Sequence, residues 1–440
     1  MVCAGARTPV GHIARSLAAF EPQDLMKMAV EAAVERARLP KDAVDGLIVG
    51  WVGQAFNAPN IARVVLLNAG LPPGSQAVTV QNNCISSIEA TASAARFILM
   101  GEGETYLAGG TECMSRLPYT IAGSRADKEL RSMETLKAGW GSLLQSKAVS
   151  VVDSMEQGLT DPVKGINMAG TAEVCAQMFG ISRQAQDAYA LESFHRALEG
   201  WKSGFYASHV FSVKTADGKT MERDEYPFLR EDLASNPAKF AKAPLLFDNS
   251  SYGMKDFYRD FGKYIEGRSY AEGSARGTVT LFNSCGRSDG AAAAVVTTEG
   301  RAKVLGLEVL AEIKGWGFYG NNPAHMGISP ALAAPVALKR AGVSFKDLDR
   351  IELHEPFAAT VLSIFKVGKE KFGHDWEAKH KEGALNPHGG SIAIGHPLGM
   401  TGTRLLLNLI YELKSSGKRL GMIAACAGGG MGGAMVLERS

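Results

Sequence analysis

The chain has 440 residues, 46% of them hydrophobic and 21% charged, with a formal net charge of +2. This is globular composition, long enough for two or three domains, and the balanced charge gives no whole-protein field that would draw nucleic acid or a membrane surface. The six cysteines, at 3, 84, 113, 175, 285 and 426, show no CxxC spacing; no apolar run approaches the ~18 residues of a span, and "MVCAGARTPVGH" lacks an apolar secretory core. The expectation is a cytoplasmic protein with free thiols, no metal and no transmembrane segment.

The first clear element is a helix over 24–39, "DLMKMAVEAAVERARL", where Leu25, Met28, Ala29, Ala32 and Ala33 recur at helical spacing. "AVDGLIVGWV" (43–52) then reads as a buried strand. "VTVQNNCISSIEATASAARFI" (78–98) is a strand, two amides, Cys84 and a helix. A thiol in the first turn of a helix faces unpaired N–H groups and the positive end of the dipole, which predicts a lowered pKa. An isolated buried cysteine is otherwise a small hydrophobe. "TYLAGGTE" (105–112) is the next strand. Strand alternating with helix predicts a mostly parallel sheet covered on both faces.

Residues 119–275 differ in texture, richer in charged, polar and aromatic side chains. Within them "SRQAQDAYALESFHRALEGWKSG" (182–204) is an amphipathic helix opened by a serine cap. A long ordered excursion of this kind belongs to a lid or binding region.

The C-terminal part repeats the theme. "ERARLPKDAVDGLIVG" (35–50) aligns without a gap on "KRAGVSFKDLDRIELH" (339–354), with Asp45 opposite Asp349, and "RLGMIAACAGGGMG" (419–432) echoes "TYLAGGTECMS". Two similar α/β halves are expected, a duplication. Three glycine-rich or strand-end stretches in this part could carry chemistry. In "NPHGGSIAIGHPLGMTGTRLL" (386–406) His396 lies among glycines that let backbone approach a ligand; it is a base, a metal ligand or a turn histidine, and His388 is the weaker candidate. "ACAGGGMGG" (425–433) puts Cys426 at a strand end before a glycine nest that could hold an oxyanion, or simply turn between strands. In "LHEPFAAT" (353–360), His354 and Glu355 do not make the HExxH of a zinc protease.

Together these stretches resemble the thiolase family. The resemblance runs through "GARTPVG" (5–11), "CISS", "LAGGTECMS" (107–115), "MAGTAE" (168–173), "GTVTLFNSCGRSDGAAAAVV" (277–296), "MGISP" (326–330), "HEPFAA", "GGSIAIGHPLGMTGTR" and "CAGGGMGGAMVLE". It implies a duplicated five-layered αβαβα fold with an inserted loop domain. Residues 1–118 and 276–300 would form the N-terminal half, 119–275 the insertion and 301–440 the C-terminal half. By the same resemblance Cys84 is the nucleophile, His396 the group that activates it and Cys426 the acid/base at the α-carbon. The N–H groups of Cys84 and Gly428 make one oxyanion hole; His396 and a water held by His354 make the other. Met168, Cys285, Met326 and Phe357 contact substrate or coenzyme A.

The implied reaction is reversible, CoA-dependent cleavage of a 3-oxoacyl-CoA or acetoacetyl-CoA to acetyl-CoA and acyl-CoA. It is an acyltransferase step of fatty-acid metabolism and β-oxidation with an acyl-cysteine intermediate. Coenzyme A is a co-substrate and no cofactor is permanently bound. The implied assembly is a homodimer or homotetramer. His354 stands where simple thiolases most often carry Asn. It is similar in this to thiolase subunits of fatty-acid-oxidation complexes, which implies a hydratase/dehydrogenase partner subunit. Pro356 replaces a typical Ala, Asn167 a common His, and Cys285 a Ser that contacts the CoA arm, while 236–275 is longer than in a minimal member. Two other readings are a ketoacyl-synthase-like condensing enzyme, which would lack Cys426, and a silent scaffold subunit, whose Cys84 would react no faster than a surface thiol.

Overall fold

In the computed structural model the described residues are 1–123, 149–267, 269–270 and 275–440. The elements that position the site, in chain order, begin with β1 (Val2–Arg7), α1 (Pro22–Ala37), β2 (Gly46–Gly50), α2 (Ile61–Asn68), β3 (Gln76–Val80), α3 (Ser86–Leu99) and β4 (Thr105–Cys113). Next come α4 (Met168–Phe179), α5 (Arg183–Lys202), β5 (Ser288–Thr297), β6 (Ala311–Gly320) and α6 (Ser329–Ala341). The chain ends with β7 (Arg350–Leu353), α7 (Ala358–Phe372), α8 (Thr401–Ser416), β8 (Leu420–Ala427) and β9 (Met431–Arg439).

The strands follow the order β7-β8-β9-β6-β1-β5-β4-β2-β3. The two halves of this path join at Val2 opposite Ala311. Within it, β2-β4-β5-β1 and β7-β8-β9-β6 have the same order and the same directions. The first pair of each is parallel and the next two are antiparallel. Helices α1 and α2 cover the outside of the first sheet and α6 the outside of the second; α3 and α8 lie between the sheets, giving five layers. The duplication expected from Asp45 and Asp349 has a physical basis. Asp45 Oδ2 accepts the N–H groups of Glu104 and Thr105 at the start of β4, and Asp349 Oδ2 accepts those of Arg419 and Leu420 at the start of β8.

The sheet is mixed rather than mostly parallel, which corrects the sequence expectation. Alternation of strand and helix holds for β2-α2-β3-α3-β4, but β5 re-enters after the long excursion and runs against both β4 and β1. At the C-terminus β8 turns tightly into β9, which forces an antiparallel pair. In the excursion, Ser182 caps α5 by accepting the Ala185 N–H, as its sequence predicts. The later part packs Phe247, Met254, Phe257 and Ile265 into a small core of its own with Ile166 and Val174. Among the described residues no helix is long and apolar enough to cross a membrane.

Candidate active site

Cys84 sits in the link between β3 and α3, two residues before the helix begins. The link is closed by short bonds: the Asn82 N–H donates to Ser86 Oγ (2.8 Å), and Ser86 Oγ donates to the Asn83 carbonyl (2.6 Å). Asn83 takes a left-handed conformation (φ 47°), which asparagine tolerates better than most residues. Its side-chain amide reaches the Gly428 carbonyl at 2.8 Å, tying the link to the turn between β8 and β9. That turn is the strand-to-strand connection allowed for "AGGGMG". It also brings the amide of Gly428 to the Cys84 sulfur.

The predicted low pKa of Cys84 is not what the structure gives. Burial pushes the thiol up to about 11, and the N–H groups of Gly428 and of Cys84 itself only partly oppose it. Sequence shows the helix end but not the desolvation around it. The other thiols in the pocket follow the same rule. Burial raises Cys285 to about 12 and takes Cys426 well above the ordinary range, with the nearby Cys84 adding to both.

His396 lies on the loop that enters α8. The residue before it, Gly395, has φ 109°, and a Cβ there would stand 2.3 Å from Ser288 Oγ, so no other residue fits. The His396 N–H donates to the Gly286 carbonyl (3.1 Å), which fixes the loop against the residues leading into β5. Its Nδ1 is 2.6 Å from Thr401 Oγ1, and that hydroxyl donates to the Pro397 carbonyl at 2.9 Å. With the threonine hydrogen so committed, Nδ1 carries the proton and Nε2 is left with its lone pair. Nε2 is buried without a partner among the described residues. Burial, helped by the Arg404 cation, depresses the imidazole to about 3, so it is neutral throughout the physiological range.

His354 follows β7, and its ring centroid is 4.1 Å from that of His396. Nδ1 is 2.8 Å from Ser391 Oγ, and Nε2 has no partner among the described residues. Burial, then His396 and Arg404, hold this imidazole neutral as well. The adjacent Glu355 points the other way. It accepts Tyr189 Oη and Ser193 Oγ of α5, each at 2.7 Å, and Asn386 Nδ2 at 2.5 Å. The excursion's main helix thus anchors the His354 loop.

One cavity of about 590 Å³ is lined by Cys84, Met168, Cys285, Met326, His354, Phe357, His396 and Cys426 together, with Pro356 and Asn167 also on its wall. Gly428 lies beside it: a Cβ there would be 3.5 Å from Met168 Sδ. Asn167 caps α4 by accepting the Gly170 N–H. The structure does not bring His388 to the cavity; its Nε2 pairs with Glu412 at 2.8 Å and its ring stacks on Phe205.

Sequence reasoning passed over several residues that shape the site. Asn83 and Thr401 act on the backbone turn and the imidazole. Glu112, at the end of β4, accepts the N–H groups of Gly53 (2.9 Å) and Gly399 (3.0 Å), pinning the His396 loop. Tyr226 and Arg230 of the excursion reach the cavity wall. The asparagine pair before Cys84 was a visible signal; the Glu112 carboxylate was not, because its partners are distant backbone amides.

A duplicated α/β fold with a thiol, an imidazole lone pair and a second thiol facing one cavity is an arrangement that fits an acyl-transfer protein. Its first part (residues 1–243) matches the model of the thiolase N-terminal domain and residues 307–439 that of the thiolase C-terminal domain. The chain belongs to the thiolase family. It is 33% identical over 437 residues to the probable acetyl-CoA acetyltransferase of Escherichia coli K12, covering 98% of this chain and 97% of the relative. It is also 33% identical over 446 residues to a 3-ketoacyl-CoA thiolase of Aliivibrio fischeri, covering 99% and 95%. The crystal structure of human mitochondrial 3-ketoacyl-CoA thiolase in complex with CoA superimposes with a TM-score of 0.83 at 30% identity, covering 100% of this chain and 97% of that one.

Proposed function

We propose that this acyltransferase cleaves 3-oxoacyl-CoA, acetoacetyl-CoA included, with coenzyme A to give acetyl-CoA and acyl-CoA, and runs the same steps in reverse. The Cys84 proton passes to His396 Nε2 as the sulfur attacks the keto carbon. The tetrahedral alkoxide collapses with cleavage of the C2–C3 bond, leaving the acyl group on Cys84 as a thioester. The departing acetyl-CoA enolate takes its proton at C2 from the Cys426 thiol. The Cys426 thiolate then takes the proton of an incoming CoA thiol, and the CoA sulfur attacks the acyl-cysteine. Cys84 leaves and recovers its proton from His396. The Cys84 and Gly428 amides stabilise the thioester oxygen. Met168, Cys285, Met326 and Phe357 hold the substrate and CoA chain.

The observation that carries this reading is the convergence of Cys84, the free Nε2 of His396 and Cys426 on one cavity, with the Gly428 amide directed at the nucleophile. Cys426 separates it from a ketoacyl-synthase-like condensing enzyme, and the complete set argues against a silent scaffold. The family suggests a homodimer or homotetramer in the cytoplasm without a permanently bound cofactor, and His354 suggests a hydratase/dehydrogenase partner. The division into 1–118, 119–275, 276–300 and 301–440 is supported by the return of β5 to the first sheet. The test is loss of enolate absorbance from acetoacetyl-CoA and longer 3-oxoacyl-CoA in the presence of CoA. Turnover and an acyl adduct on the Cys84 peptide are expected, both lost in Cys84→Ser. No turnover at any chain length sinks the reading.

A further inference from the structure

The two histidines that face the cavity differ in how their inner nitrogens are held. His396 Nδ1 meets a hydroxyl whose hydrogen is already given to a carbonyl. His354 Nδ1 meets Ser391 Oγ, whose second neighbour is of the opposite kind. Arg404 Nη2 lies 2.6 Å from Ser391 Oγ, and a guanidinium can only donate. The Ser391 hydroxyl therefore receives a hydrogen from Arg404 and keeps its own to give. Among the described residues the remaining neighbour within hydrogen-bond reach is His354 Nδ1 at 2.8 Å.

We propose that Ser391 and Arg404 are positioning residues that fix His354 as the Nε2–H tautomer, so that His354 donates a hydrogen bond into the cavity while His396, beside it, offers a lone pair. The hydrogen-bond chain runs Arg404 Nη2–H to Ser391 Oγ, then Ser391 O–H to His354 Nδ1, leaving the proton of the neutral ring on Nε2. No bond to carbon changes and no proton is transferred; the chain chooses which ring nitrogen holds one.

Three further observations support it. Ser391, Arg404 and His354 are all fully buried, so no bulk water competes for these groups. Arg404 Nε and Nη1 have no hydrogen-bond partner among the described residues, so the bond to Ser391 is where this buried cation directs its donor strength. A buried charge of this kind is costly to keep unless it is paired or hydrogen-bonded. Finally, burial, with the cation adding to it, holds both imidazoles neutral, and only a neutral ring has a tautomer to set.

The consequence rests on the thiolase reading of the site. An N–H at His354 Nε2 stabilises negative charge on a substrate oxygen, directly or through one water, whereas the other tautomer would present a lone pair and repel it. The pair of rings is then divided by role: His396 accepts a proton and His354 donates a hydrogen bond.

The test is a two-bond nitrogen–proton correlation spectrum of the full-length protein labelled in its histidines, with His354 assigned from the signal missing in His354→Gln. The expected pattern is a protonated-type shift at Nε2 and an unprotonated-type shift at Nδ1 for His354. The reverse pattern in the unsubstituted protein overturns the proposal, whatever any variant does. Ser391→Ala should move the His354 pattern toward the other tautomer. It should lower kcat about ten- to a hundredfold, with KM for the acyl-CoA within about twofold; Ser391→Thr, which restores the hydroxyl, should recover both. A raised KM with unchanged kcat and an unmoved spectrum would mean Ser391 only packs, and would also overturn it. The spectrum needs no turnover, so absence of thiolase activity with an Nε2–H signal would remove the proposed reaction and leave the assignment standing.

Discussion

The charge state of Cys84 before substrate arrives can be read from its alkylation rate. Burial lifts the thiol to about 11 and depresses His396 to about 3, so the free enzyme holds a neutral thiol beside a neutral imidazole, not a thiolate–imidazolium pair. The thiolate is the nucleophile toward iodoacetamide. At pH 7 its fraction for a pKa near 11 is about 10⁻⁴, against about 3% for an unperturbed thiol of pKa ~8.5, a difference of roughly 300-fold. The raised pKa also fixes the sign: the rate should climb about tenfold per pH unit from 6 to 9 and reach no plateau there. The assay is iodoacetamide labelling across that range, with the Cys84 peptide followed by mass spectrometry and an added synthetic cysteine peptide as standard. Slow labelling of this kind would not mark Cys84 as a silent scaffold thiol, because the reaction proposed for it starts from the neutral pair with substrate in place. A rate already level between pH 5 and 7 would refute the reasoning, since it would show a preformed thiolate that the burial argument forbids.

Three other substitutions have definite outcomes. Gly110→Ala places a Cβ 2.0 Å from the Gly399 carbonyl oxygen, too close for either backbone to absorb, so it should cost more than about 3 kcal/mol in urea unfolding and disturb the His396 loop; a stable, fully active variant would contradict this. Asp224 makes a paired salt bridge to Arg7, at 2.7 and 2.9 Å with both side chains fully buried, and Asp224→Asn should destabilise by about 3–5 kcal/mol because it leaves the guanidinium uncompensated. Glu352 is raised to about 8, chiefly by burial. Its contribution to stability is complete below the unfolded value of ~4.3 and is lost as pH rises through about 8. Glu352→Gln does not titrate, so it should gain on the unsubstituted protein between pH 5 and 9, by at most about 5 kcal/mol; a gap that stays constant with pH would show that Glu352 is ionised throughout.

The fold was legible where one local pattern decides one element. The Ser182 cap, the spacing in 24–39 and the matched aspartates each have a counterpart in the structure. The sheet's mixed direction was not legible, because β5 and β1 come from distant parts of the chain and nothing in either strand says which way its neighbour runs. In the site, Cys84, His396, Cys426 and His354 were found through glycine-rich surroundings and motif resemblance, and one cavity collects them. What escaped was the layer behind them. Glu112 and Glu355 act through partners far away in sequence, and neither spacing nor composition records such pairs. The direction of the Cys84 shift escaped for the same reason, since burial is a property of the assembled fold.

The duplication also accounts for where the proposed nucleophile and base meet. Cys84 precedes α3 and His396 precedes α8, and these are the two helices of the middle layer, each leading into the equivalent strand of its own half. Their first turns touch: the Thr403 N–H donates to Ser87 Oγ at 2.9 Å, and at Gly402 a Cβ would stand 2.6 Å from the Ile88 nitrogen. Two copies of one unit, packed through their middle helices, therefore bring two equivalent helix-entry loops to the same point. A cysteine on one loop and a histidine on the other then need no long-range coincidence to become partners. The same packing desolvates both, which holds the thiol protonated and the imidazole uncharged in the free protein.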